Sequence, residues 1–335
     1  MAKKQCEFLA NKLFHAIAPS LEEQWVNITN QKREISLQAS QTKQGVILAL
    51  AAYGSWGVAP MYFKLIDSLS SLDILMHRII WSVITLIILI LAMQQWGKVR
   101  EAIKSKKLLA SLFFTGFLLA GNWFLFIWAV NNDHLLDASL GYYINPLLNV
   151  LLGFLFLGER LRPMQMFAVA SALFGVILLI ISYGKFPWIA LVLAFSFGIY
   201  GLLRKKIPVE SAPGLLIEST MLLPIALLYW PLFASDSATM INNNMNLNLI
   251  LLCAGIVTTF PLVCFNAAAK RIQYSTLGFF QYIAPSMMFL LAVGLYGEPL
   301  DHARLITFGF VWFGLLIFSW DSWRTYRKNK KNSAA

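Results

Sequence analysis

Beyond residue 44 the chain alternates between long apolar runs and short polar connections. Ten runs can be drawn, at roughly 45–66, 72–93, 108–130, 135–157, 163–182, 186–203, 213–233, 247–267, 275–296 and 303–321. Each holds about 18 to 24 residues, close to the ~20 that a helix rising 1.5 Å per residue needs to cross a ~30 Å hydrocarbon layer. Ten such runs with almost no polar face predict ten transmembrane helices rather than the buried core of a soluble domain. Residues 1–44 differ: they are polar and charged, with apolar clusters such as Phe8, Leu9, Leu13, Phe14 and Ile17. That pattern suits an amphipathic surface helix ending near Pro19, lacks the continuous apolar core of a signal peptide, and carries no expected role in transport.

The runs are not independent of one another. Tyr143-Ile144-Asn145-Pro146, with Gly158-Glu159 following, returns 139 residues later as Tyr282-Ile283-Ala284-Pro285 with Gly297-Glu298. Ser55-Trp56-Gly57 and Lys64 are echoed by Ser196-Phe197-Gly198 and Lys205 at an offset of 141. The spacing predicts a duplicated chain: repeat 1 over 45–182 and repeat 2 over 183–321, with a polar tail at 1–44 and a basic tail at 322–335. Duplicated membrane halves commonly enclose a transport site between them.

Composition agrees with the membrane assignment, at 58% hydrophobic and 13% charged residues. Charge then sets orientation, because basic loops resist translocation. With the N-terminus inside, the cytoplasmic segments hold Lys3, Lys4, Lys12, Lys32, Arg33 and Lys43, then Lys98, Arg100, Lys104, Lys106 and Lys107, then Arg160 and Arg162. They also hold Arg204, Lys205, Lys206, Lys270, Arg271, Arg324, Arg327, Lys328, Lys330 and Lys331, leaving only Lys64, Arg78, Lys185 and Arg304 elsewhere. Both termini are therefore expected in the cytoplasm. The net charge of +11 follows from this topology beside anionic lipid, so nucleic acid is not an expected partner and membrane lipid is.

Five helices per repeat is an odd number, so the second copy enters the membrane from the side opposite to the first. Gly158-Glu159 opens the basic loop Gly-Glu-Arg-Leu-Arg, whereas Gly297-Glu298 opens Gly-Glu-Pro-Leu-Asp on the other side. The expected fold is an all-α integral membrane protein of ten helices in two inverted five-helix repeats. Such repeats recur in alternating-access carriers, whose similar halves exchange conformations around one site.

Several blocks carry a resemblance. GVILALAAYGSWGVAPMYFK at 45–64, HRIIWS at 77–82, GNWFLFIWAVN at 121–131, LGYYINPLLN at 140–149 and FLGERLR at 156–162 are followed by GIVTTFPLVCFNAAAKR and STLGFFQYIAP. In this order they resemble the EamA branch of the drug/metabolite transporter superfamily, over about residues 45 to 325. The resemblance implies a ten-helix permease of the bacterial inner (plasma) membrane with a central cavity. Members are linked by name to chloramphenicol, so the resemblance implies a small organic metabolite or drug such as chloramphenicol as the solute, and it is the sole basis for expecting export.

Ionisable groups inside a membrane are costly and default to functional candidates. His77 and Arg78 lie in the second run and Glu218 in the seventh, with His77 the repeat counterpart of Glu218 at the 141 offset. If they flank opposite ends of one pathway, they are gating or proton-coupling residues. Alternatively Arg78 snorkels outward and Glu218 pairs with Arg204, Lys205 or Lys206.

Uncharged groups form a second set: Trp56, Asn122, Trp123, Tyr143, Asn145, Asn149, Asn266, Gln281 and Tyr282. Most lie on the third, fourth, eighth and ninth runs, so they can converge between the halves as a substrate site for a neutral or amphipathic organic solute. The other reading is that the amides tie helices together, the aromatics fill the core, and Trp56 packs against a glycine. Pro60, Pro146, Pro224, Pro261 and Pro285 fall within runs, and Pro146 and Pro285 are repeat mates that serve either as hinges or as static bends.

No enzyme, cofactor or metal is expected. A GxxxxGK[ST] loop and an HExxH helix are both missing, and His15, His77, His134 and His302 are widely scattered. Cys253 and Cys264 are about 16 Å apart by helical rise, and with Cys6 they form no disulfide framework. The sequence thus points to a secondary carrier of a small organic solute, with proton coupling, exchange and facilitated diffusion all open. The alternative is a non-transporting sensor or lipid-interacting scaffold, which would need no central polar cavity.

Overall fold

A computed structural model describes residue 37 and residues 40–132, 134–241, 243–295 and 302–334. Among these residues the protein is all-helical, without a strand. Nine helices are long and apolar enough to cross a membrane. They are α1 (Ser40–Lys64), α2 (Ser71–Ala92), α4 (Lys106–Asn131), α5 (Leu135–Leu157), α6 (Pro163–Tyr183), α7 (Trp188–Lys206), α8 (Ser211–Phe233), α9 (Met245–Ala269) and α12 (His302–Ala334). Large apolar side chains point away from the protein on these helices, among them Phe117, Ile181, Leu228 and Leu316 at 65%, 69%, 65% and 71% exposure. In water such a surface would aggregate; in lipid it is already solvated.

Two expectations are corrected and a third is extended. The run at 275–296 is not one helix but two, α10 (Tyr274–Gln281) and α11 (Ile283–Gly294), meeting at Tyr282. Pro285 has no N–H to offer the Gln281 carbonyl, and the Tyr282 N–H turns to the Phe279 carbonyl, three residues back, at 3.3 Å. The connection expected at 94–107 contains α3 (Trp96–Lys104), which buries Val99 and Ala102 and pairs Lys98 with Glu210. The last helix continues past 321 into the segment expected to form a basic tail. Residues 44–321 form one compact unit, and the segment from Ser322 is separate from it. In the latter, the Arg327 guanidinium lies 4.1 Å from the Trp323 ring centre. The proposed surface helix before Pro19 lies outside the described residues, as do Gly297 and Glu298.

Within residues 44–321, α2 packs on α8 and α9, while α5 packs on α7 and α10 and α4 lies against both α7 and α8. Close crossings need small residues, because association in lipid relies on packing rather than water exclusion. At Gly278 of α10 an added Cβ would stand 2.7 Å from Asn149 Cβ and 2.9 Å from the Pro146 carbonyl oxygen. Pro146 itself lies inside an uninterrupted α5, unlike Pro285, which lies beside the break.

Polar groups at helix ends hold neighbouring helices. The Lys205 ammonium donates to the Ala269 and Ile272 carbonyls at the end of α9, and Lys270 donates to the Ile207 and Val209 carbonyls just past α7. Positive charge on unpaired C-terminal carbonyls complements the helix dipole. α5 stops at Gly158, which takes the left-handed φ of 64° that glycine adopts without a Cβ clash. That turn delivers Glu159 to the start of α10, where Oε1 accepts the Tyr274 N–H at 2.6 Å. Its Oε2 accepts the Ser275 N–H at 2.8 Å and the Ser275 hydroxyl at 2.7 Å. A carboxylate is well matched to orphan N–H groups at a helix start. Glu159→Ala is expected to cost ~1 kcal/mol of stability, the usual value of a lost cap, read as a lower denaturation midpoint in detergent. An unchanged midpoint would show that the cap contributes nothing.

Candidate functional site

A small, partly enclosed pocket lies among α2, α4, α8 and α9. Its wall is formed by Ile79 and Ser82 of α2, Leu119 and Trp123 of α4, Leu215, Glu218, Ser219 and Leu222 of α8, and Thr258, Thr259 and Leu262 of α9. Mostly apolar walls with a few polar groups suit a small-molecule site, although the space between them here is about 10 Å³, about as much as one water fills.

Glu218 is buried and joins this wall to a polar network. Its Oε1 accepts the Thr115 hydroxyl at 2.6 Å and lies 3.5 Å from Arg204 Nε, while Oε2 accepts the Tyr200 hydroxyl at 3.4 Å. Asn266 Nδ2 donates to the Tyr200 oxygen at 3.0 Å, joining α9 to α4, α7 and α8. Arg204 has no exposed surface; its Nη2 donates to the Ser211 carbonyl at 3.2 Å, while Nε and Nη1 complete no hydrogen bond. The guanidinium fits because residue 214 is glycine, where an added Cβ would lie 2.3 Å from Nη1. Arg204, counted among cytoplasmic residues by charge topology, is thus the partner of Glu218 among the three basic residues the sequence offered. The pair is loosely bonded for one so buried, and protonation of Glu218 would leave the Arg204 charge uncompensated.

Arg78 approaches the other side of the pocket. Its Nε donates to Thr258 Oγ1 at 2.9 Å, and its guanidinium carbon lies 4.6 Å from the Trp123 ring centre and 5.6 Å from that of Phe63. It therefore stacks inward on aromatic rings. His77, next in sequence, is fully buried and is not part of the pocket wall. Trp81 Nε1 donates to His77 Nδ1 at 3.1 Å, so His77 Nε2 is the donor to the Ala238 carbonyl at 3.1 Å. Both ring nitrogens of a neutral imidazole are engaged, and the ring meets Trp230 edge-on at 4.9 Å.

The remaining candidates stand outside the pocket wall. Asn145, Asn149 and Gln281 form a chain between α5 and α10: Asn149 Nδ2 donates to Asn145 Oδ1 at 3.1 Å and to Gln281 Oε1 at 3.0 Å, and Asn145 Nδ2 donates to the Ala194 carbonyl at 2.7 Å. Tyr282 reaches back from the helix break to the Tyr143 carbonyl at 3.1 Å. Asn122 ties α4 to α7 through the Leu193 carbonyl at 2.9 Å and Ser196 Oγ at 2.8 Å. Trp56 packs with Tyr53, Phe197 and Phe265, at centre distances of 5.6, 5.9 and 5.9 Å. Of the candidates, Trp123 and Glu218 therefore meet in the pocket, Arg78 adjoins it, and the amides of α5 and α10 bond to each other. Thr115, Tyr200, Ser82, Ser219, Thr258 and Thr259 were not singled out from the sequence. Among the described residues no three His, Cys, Asp or Glu side chains are grouped to hold a metal.

Residues 43–181 and 186–320 both match the model of the EamA-like transporter family. The chain belongs to this family. As an EamA-like protein with nine membrane-length helices among its described residues, it is a multi-pass membrane protein. It is 53% identical over 298 residues to Protein RarD of Escherichia coli K12, spanning 88% of this chain and 100% of that protein. It is 34% identical over 294 residues to the Chloramphenicol-sensitive protein RarD of Pseudomonas aeruginosa, spanning 86% of this chain and 97% of that one. A crystal structure only 18% identical in sequence shares the fold, with a TM-score of 0.66 over 84% of this chain and 99% of the other.

Proposed function

We propose that this EamA-like protein is a secondary carrier that exports a small organic solute across the bacterial inner membrane by alternating access, with the α2/α4/α8/α9 pocket as its transport site. In this reading the broken pair α10 and α11 supplies the tenth crossing, both termini are cytoplasmic, and the halves 45–182 and 183–321 are inverted copies. The observation that supports it is which helices form the pocket wall. α2 and α4 are the second and third crossings of the first half, and α8 and α9 are the second and third of the second half. A site bounded by equivalent helices of two inverted halves can be opened from either side when the halves exchange conformations. The family match in two stretches, 43–181 and 186–320, supports the duplication.

Glu218 is the group through which a proton would be coupled to this movement, since proton uptake and separation from Arg204 would be one event. Pro146 and the Tyr282–Pro285 break are the places where α5 and the α10/α11 pair would bend. Chloramphenicol is the first solute to test, because the name of the Pseudomonas aeruginosa relative mentions sensitivity to it. The test is uptake by proteoliposomes of chloramphenicol, amino acids and aromatic metabolites, with an imposed pH gradient and without one. Saturable, protein-dependent flux is expected, larger with the gradient. Flux no greater than in protein-free vesicles for every solute would overturn the carrier reading.

A further inference from the structure

Arg78 carries a charge that the protein does not neutralise. Arg204 has Glu218 and Arg162 has Asp321, but among the described residues no carboxylate lies within 4.0 Å of the Arg78 guanidinium. Of its nitrogens only Nε is bonded, to Thr258. The two terminal nitrogens make no hydrogen bond to the protein, and neither is among the polar atoms sealed in the interior. Arg78 belongs to a membrane-length helix, where an unmatched cation is expensive and is ordinarily explained by a partner. Neither Phe63 nor Trp123 supplies a negative charge; they flank the guanidinium, and the Tyr62 and Tyr142 phenols near it are uncharged and do not neutralise it.

We infer that Arg78 is the anion-recognition group of the transport site and that the solute is a small organic carboxylate with a planar, apolar body. This rests on the carrier reading and narrows it, since the pocket alone would admit a neutral solute. The free edge of a guanidinium presents two parallel N–H donors, the geometry a carboxylate accepts and an ammonium cannot reproduce. The residues that hold Arg78 also shape the pocket: Trp123 and Thr258 contact the guanidinium and stand in the wall. A carboxylate on Arg78 would therefore lie beside the Trp123 ring, which Arg78 shares with the pocket wall. Glu218 also faces this space, but Arg204 offsets its charge, so an anion bound at Arg78 does not meet an unpaired carboxylate.

A phosphate of a lipid headgroup offers similar chemistry, and the experiment separates the two sources. Purified wild type, Arg78→Gln and Arg78→Lys are titrated with acid and amide pairs: phenylacetate with phenylacetamide, 4-hydroxybenzoate with 4-hydroxybenzamide, and indole-3-acetate with indole-3-acetamide. Each protein is also scored for phosphatidylglycerol retained after delipidation, and thermal melting confirms that each is folded. Wild type is expected to favour at least one acid over its amide by about tenfold or more, the effect of a charge-assisted hydrogen bond. Arg78→Gln is expected to erase the preference and Arg78→Lys to keep only part of it. The proposal is overturned if wild type binds none of the acids, if it shows no preference for an acid, or if Arg78→Gln retains the preference. Loss of phosphatidylglycerol in Arg78→Gln without acid binding by wild type assigns Arg78 to lipid and likewise overturns it. Saturable flux of a neutral solute that Arg78→Gln leaves intact would refute the anion site while sustaining the carrier reading; absence of all flux in wild type would refute that reading itself.

Discussion

Glu218→Gln is expected to abolish the response of transport to a proton gradient, so that flux with and without the gradient differs by a factor of about one, the value for zero coupling. Glutamine keeps the shape of the side chain and can still accept from Thr115, but it cannot take up and release a proton. It also leaves Arg204, which has no exposed surface, without its counter-charge. Breaking a buried pair by removing one partner costs about 3–5 kcal/mol, so loss of flux alone would not separate coupling from misfolding. The double variant Glu218→Gln/Arg204→Met does separate them. It removes both charges, and replacing a whole buried pair by uncharged residues is often neutral. A folded double variant that still lacks gradient-driven flux supports the coupling role. Recovery of gradient-driven flux alongside stability would show that Glu218 serves only to balance Arg204.

That pair also shows where sequence reasoning reaches and where it stops. Hydropathy located the membrane helices closely, as with the run 72–93 that becomes Ser71–Ala92, because twenty apolar residues have few other stable environments. It flagged Glu218, Arg78 and Trp123 because charge and bulk stand out in such runs. Arg204 was legible only as part of the basic end Arg204-Lys205-Lys206, where a positive residue normally marks the cytoplasmic side. Its burial depends on Gly214 making room on the facing helix, a relation that no pattern along one helix encodes. Thr115, Tyr200 and Thr258 were invisible for a different reason. Hydroxyls are tolerated throughout membrane helices because they can bond to the preceding turn, so their presence carries little information until partners are known. The break at Tyr282 was hidden because an apolar run gives no sign of a missing backbone bond, and Pro146 shows that a proline alone does not break a helix.

Gly255→Val is expected to destabilise the protein and to lose transport together with stability, whatever the solute. Gly255 is where α9 crosses α2 most tightly: an added Cβ would stand 2.3 Å from the Trp81 carbonyl oxygen, 2.5 Å from its carbonyl carbon and 2.5 Å from Thr85 Oγ1. Two of those atoms are backbone, so the clash cannot be relieved by turning a side chain, and the helices must separate. Overpacking of this kind typically costs 1–3 kcal/mol and sometimes more, or roughly 5- to 150-fold in the folded-to-unfolded ratio. The same displacement alters the pocket, since Ile79 and Ser82 of α2 face Thr258 and Thr259 of α9 across it, and Thr258 is the residue that holds Arg78. Gly54→Ala is the control, because an added Cβ there has no neighbour within 4 Å and alanine favours a helix over glycine by about 1 kcal/mol. Thermal melting in detergent and flux in proteoliposomes read both variants. A Gly255→Val protein that melts with wild type would show that α2 and α9 are not in close contact, and the pocket assigned between them would fall with that contact.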